Sequence, residues 1–126
     1  MNAAVAAYRQ SSIDTATPGQ LVVMLYDGVL TALGKVEAAL SPAGLDIDIA
    51  HKELTRCQAI VSELMGTLNM SAGPVASNLA MLYEYSHRQL VAANLAKGFE
   101  PAEPVRRIFT DLRDAWAQIV AGWERA

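Results

Sequence analysis

The sequence predicts an all-α protein, an antiparallel up-down four-helix bundle with a short N-terminal arm. Three observations predict it. Four long stretches carry apolar side chains every three or four positions, the period of one helix face. Short breaks rich in Pro, Gly and Ser separate them, and short connections make neighbouring helices antiparallel. No stretch shows sustained period-two alternation, so no strand is predicted.

Residues 1–16 are expected to form a flexible or lightly docked arm. They are Ala-rich, polar at Gln10-Ser11-Ser12, and carry one aromatic, Tyr8. The first helix is expected over 17–40. Thr17 is placed to cap it, Pro18 suits its first position, and Gln20 completes a capping box. Leu21 to Tyr26 are six successive apolar or aromatic residues, enough to cover the whole circumference of the helix. A helix that only faced a core would need a narrower stripe. This one is therefore either central or apolar on a second face that something else covers. Leu21, Leu25, Gly28, Ala32, Val36 and Ala39 share one face; Val22, Tyr26, Val29 and Leu33 share another. Ser41-Pro42-Ala43-Gly44 ends it.

The second helix is expected over 46–69, with Asp46 or Asp48 at its start. Ile47, Ala50, Leu54, Cys57, Val61, Leu64 and Leu68 form its seam. The third is expected over 73–97, with Gly98 as its stop. Val75, Leu79, Leu82, Ser86, Leu90 and Ala93 give its face, with Met81, Tyr83 and Tyr85 beside it. The fourth is expected over 102–124, facing inward through Val105, Ile108, Leu112, Ala115, Ile119 and Trp123, flanked by Phe109 and Trp116.

Composition narrows the function. Of 126 residues, 52% are hydrophobic and only 18% charged, so some apolar surface is expected to be exposed or covered by a partner. A net charge of -3 lacks the basic face that nucleic acid requires. A single cysteine, Cys57, excludes an internal disulfide; on the seam it reads as a small buried hydrophobe. No apolar run is long enough to span a membrane, and the N-terminus lacks the pattern of a secretory leader. A cytoplasmic protein is expected.

Few residues suggest catalytic chemistry. There is no phosphate-binding glycine loop and no nucleophile elbow. Helical bundles do house di-metal sites built from Glu-x-x-His pairs. Glu84-x-x-His87 matches that pattern, with Asp48-x-x-His51 as an imperfect mate and Glu37 nearby. Both histidines flank the apolar seams, and surface roles are the simpler reading. No catalytic, cofactor or metal residue is assigned. Tyr83 and Tyr85, two positions apart, point to opposite sides of their helix, so one at most is central. With Met24, Met65, Met70 and Met81, the tyrosines suit an adaptable apolar groove for a partner helix.

Three motifs then stand out: Thr17-Pro18-Gly19-Gln20-Leu21-Val22-Val23-Met24-Leu25-Tyr26-Asp27-Gly28; Asn78-Leu79-Ala80-Met81-Leu82-Tyr83-Glu84-Tyr85 followed by Leu90 and Asn94; and Leu112-Arg113-Asp114-Ala115-Trp116. Tyr8-Arg9-Gln10 lies ahead of them, and the similarity they carry covers nearly the whole chain. In this the sequence resembles the flagellar secretion chaperones of flagellin, the FliS family. Gly19 stands where a bulkier residue is usual, and the second helix carries little of the pattern. The resemblance implies a cytoplasmic chaperone, not an enzyme, that binds the disordered C-terminal region of flagellin and delivers it to the export gate. Some members also bind other flagellar regulators or a co-chaperone. A monomer or weak dimer without nucleic acid, cofactor or membrane insertion is expected. It further implies a flagellin groove at Tyr8, Leu21, Val22, Met24, Leu25, Tyr26, Asn78, Leu79, Leu82, Tyr83, Tyr85, Leu90 and Asn94. The arm is expected to cover that groove through Tyr8 until flagellin displaces it. A structural bundle subunit, or a metal-dependent bundle enzyme, is the alternative.

Overall fold

The computed structural model describes residues 17–125, with the side chains of 124 and 125 excepted. The arm expected over 1–16, Tyr8 included, lies outside the described residues. Four helices follow in order: α1 (Pro18–Ala39), α2 (Ile47–Gly66), α3 (Pro74–Ala96) and α4 (Glu103–Arg125). Two short 3-10 turns, Met70–Ala72 and Glu100–Ala102, precede α3 and α4. No strand occurs among the described residues.

Local chemistry sets the boundaries. Thr17 and Gln20 close the capping box in both directions, at 3.2 and 2.9 Å. They satisfy donors that a helix start leaves open. Asp46 caps α2 by accepting from the Ile49 amide at 3.1 Å. The second helix ends at Gly66 rather than near Asn69, because the Thr67 hydroxyl donates to the Leu64 carbonyl. Asn69 then opens the next turn by accepting from the Ser71 amide. Gly73 has φ 99°, a conformation that favours glycine, and Pro74 follows as the first residue of α3. At the far end of α3 the left-handed residue is Lys97, φ 53°, one position before the expected Gly98.

α1 is the central helix, packed on α2 and α4, while α2 packs on α3. α3 and α4 meet mainly across the Glu100–Ala102 turn. There the Arg106 guanidinium lies 4.5 Å from the Phe99 ring centre and 2.9 Å from the Glu37 carboxylate. The core runs through Val29, Leu33, Val36, Leu54, Cys57, Val61, Leu64, Leu90 and Val105, all inaccessible to solvent or nearly so. Tyr26, Tyr83 and Phe109 join it.

The expected faces differ in the structure in two respects. α4 is rotated: Phe109 and Val120 are buried, whereas Ile119 is exposed and Trp123 is 62% exposed. The stripe Val105, Phe109, Leu112, Trp116 and Val120 turns inward because its aromatic members bury the most area. Ile47 and Val75, both in the first turns of their helices, are exposed: the buried face begins at Ala50 on α2 and at Ala76 on α3. Of the tyrosine pair, Tyr83 is central and Tyr85 sits on the outer face.

Candidate partner-binding groove

In an up-down bundle the start of α1, the end of α2, the start of α3 and the end of α4 share one end. The helices there do not close over the core. A groove of about 780 Å³ opens between them. Leu21, Val22, Met24, Leu25 and Gly28 supply its α1 wall. Ile60, Leu64 and Leu68 of α2 stand opposite, Leu79 contributes from α3, and Trp116 from α4. Gly28 allows the two walls to approach: a Cβ there would lie 3.2 Å from Ile60 Cδ1.

Tyr26 and Tyr83 meet at the floor, and their hydroxyls share a buried hydrogen bond of 2.5 Å. Phe109 backs both rings, edge-on to Tyr26 at 5.6 Å and tilted to Tyr83 at 6.1 Å. Burial pushes both phenols above their ordinary range, and for Tyr83 the bond to Tyr26 adds to the effect. These rings are floor and core at once. The contiguous apolar run of α1 is thereby explained: Leu21, Val22 and Leu25 border the groove, Tyr26 enters the core, and Val23 borders a smaller depression of about 310 Å³ against Val120 and Ala121 of α4. Met24 borders both.

The three sequence motifs converge here. Tyr26 joins the first to the second through Tyr83. Asp27 joins the first to the last by accepting from Arg113 Nε at 2.8 Å, and the Trp116 indole donates to the Gly19 carbonyl at 3.1 Å. Gly19 also has a steric reason. A Cβ there would sit 2.9 Å from Val120 Cγ2 and 3.2 Å from the Trp123 ring, so this α1–α4 contact needs a residue without one.

A model of the family described as flagellar protein FliS matches residues 1–122. The chain belongs to the FliS family. The flagellar secretion chaperone FliS of Bacillus subtilis is 35% identical over 90% of this chain and 84% of its own length. Its counterpart in Salmonella typhimurium is 31% identical over 91% and 88%, and that in Escherichia coli is 32% identical over 86% and 80%. FliS is a chaperone family and not an enzyme family.

The residues suggested by the FliS resemblance separate in space. Leu21, Val22, Met24, Leu25, Tyr26, Leu79 and Tyr83 border the groove. Leu82 is half-buried outside it, and Asn78 and Tyr85 are exposed. Leu90 is fully buried in the core. Asn94 accepts from Lys97 at 2.7 Å and lies 3.1 Å from His51 Nδ1, far along α3 from the groove. What the motifs missed is the α2 wall, with Arg56, Ile60, Glu63, Leu64, Thr67 and Leu68. Its one sequence signal is Ile60, an apolar residue off the seam. The candidate metal residues are not brought together. Glu84 pairs with Arg88 at 3.1 Å, Glu37 pairs with Arg106, and no group of three or more ligating side chains gathers among the described residues. No helix among the described residues is long and apolar enough to cross a membrane.

Cys57 is fully buried, its thiol 3.7 Å from the Val29 carbonyl it donates to. Burial, with Glu53 adding negative charge nearby, pushes the thiol from about 9 up to about 12. The linkage has a definite sign. Above pH 9 the unfolded chain releases this proton while the folded chain retains it, so stability falls as pH rises from 9 toward 12. The raised phenols of Tyr26 and Tyr83 act in the same direction. The urea midpoint is expected to drop between pH 8 and pH 10.5, and less so in Cys57→Ala. Equal midpoints at the two pH values would contradict the buried, neutral thiol and phenols.

Proposed function

We propose that the protein works in the cytoplasm as an export chaperone, holding the disordered C-terminal region of flagellin unpolymerised in the groove and delivering it to the export gate. The observation that carries this reading is the groove itself. It has apolar walls on α1 and α2 and an aromatic floor, and it stands open at the end where the three motifs meet. Such a surface suits an amphipathic helix laid into a groove. Ordering a disordered segment costs several kcal/mol of the contact energy. The moderate affinity that remains serves a chaperone that must let its client go. In this reading the protein is a monomer or weak dimer.

Calorimetric titration with a peptide from the last ~40 residues of flagellin tests it. The expected result is saturable one-to-one binding with a negative heat-capacity change, the mark of apolar burial. No heat and no binding, with the protein folded, would sink the reading.

A further inference from the structure

The groove's walls are apolar except on α2, where two oppositely charged side chains border it. Arg56 and Glu63 are both exposed. They are seven residues apart, so they leave α2 on nearly the same side, separated by about 10.5 Å along its axis. Ile60 stands between them on the same wall. The ion pairs among the described residues use other side chains: Arg88 with Glu84, Arg106 with Glu37 and Glu103, and Arg113 with Asp27 and Asp114. Arg56 and Glu63 make no ion pair and no side-chain hydrogen bond among the described residues. On α1, Asp27 is already paired with Arg113.

A positive and a negative charge outside any ion pair, on one wall of an apolar groove, make a dipole along its length. Burial of apolar surface has no direction of its own. A helix with a regular apolar stripe would lie in such a groove either way round. Charges at fixed places break that tie, because the wrong orientation sets like charges against each other.

We propose that Arg56 and Glu63 read the direction of the bound segment. The groove takes an amphipathic helix whose apolar face is flanked by an acidic and a basic side chain about two turns apart. The acidic one seats at Arg56 and the basic one at Glu63. This inference rests on the groove being the client site. Both pairs sit at an exposed rim, so the preference is modest, about three- to tenfold in affinity, and it fades in high salt.

The test uses designed helical peptides that share one apolar face. One carries Lys and then Glu seven residues later, a second carries the reverse order, and a third carries Gln at both places. Each bears a nitroxide at its N-terminus and is added to the ¹⁵N-labelled full chain. The Lys-first peptide is expected to broaden the amides of Thr67 and Leu68, and the Glu-first peptide those of Lys52 and Glu53. The Gln peptide is expected to bind three- to tenfold more weakly and to broaden both ends. In R56E/E63R, checked for its fold by circular dichroism, the two broadening patterns exchange. Broadening that ignores charge order or the swap overturns the proposal, as does equal or absent binding of all the designed peptides. The flagellin peptide, titrated alongside, separates the causes. If it binds while the designed peptides show no charge dependence, only the directional rule falls. If it does not bind the folded protein, the client reading falls and the proposal with it.

Discussion

Replacing Phe109 with Ala is expected to destabilise the protein by about 3–5 kcal/mol, the usual cost of emptying a buried phenylalanine site. That is a large share of the ~5–15 kcal/mol that holds a domain folded. Phe109 is fully buried, and its ring is the common partner of two others. It meets Tyr26 edge-on at an interplanar angle of 85° and Tyr83 at 31°. Removal takes away the transferred area, both ring contacts, and the backing of the floor formed by Tyr26 of α1 and Tyr83 of α3. The shared hydroxyl bond between Tyr26 and Tyr83 resists collapse into the void, because closing the gap would pull that bond out of line. Relaxation is therefore incomplete and the cavity cost is largely retained. Urea unfolding followed by circular dichroism checks this, with Phe109→Leu as the milder companion. A loss below about 1 kcal/mol for Phe109→Ala would mean that the site is not packed as described.

Some of this was readable in advance because it is local. The capping box at Thr17 and Gln20, the Gly73-Pro74 start and the seam Ala50-Leu54-Cys57-Val61-Leu64 depend on neighbours within a turn or two, and sequence spacing carries that information. The rotation of α4 was not readable. Ile108 and Phe109 are adjacent and both apolar, and which one faces inward depends on Tyr26 and Tyr83, far away in the chain. Leu90 and Asn94 show the opposite failure. They belong to a motif shared with the FliS family, but a motif does not distinguish a core position from a groove position. The α2 wall was hidden for a third reason. Arg56, Ile60 and Glu63 lie off the apolar seam of α2, and they become a wall only because the helices stay apart at this end. Gly19 gains its meaning the same way, from Val120 and Trp123 on the last helix.

Leu21→Asp is expected to abolish most client binding while leaving the fold intact. Tyr26 would be a poor probe of the same groove. It is 1% exposed and tied to Tyr83 and Phe109, so its loss would mix unfolding with lost affinity. Leu21 is different. It borders the groove and is half-buried, but it is not among the side chains packed on the core cluster. It also lies just behind the start of α1, whose first turn carries no acidic residue. A carboxylate there is favoured by the helix dipole, by roughly 0.3–1 kcal/mol, which offsets the small packing loss. Thermal stability should therefore hold. Binding should not. A client helix seated against α1 would have to bury a carboxylate with no partner on an apolar wall, at a cost of at least ~2 kcal/mol, or about 30-fold in affinity. Calorimetry with the flagellin peptide and a parallel thermal melt read both effects. Leu21→Ala, which removes the contact without adding the charge, is expected to fall between variant and parent. Unchanged affinity in Leu21→Asp with an unchanged melt would mean that the client does not seat against the Leu21 end of the α1 wall.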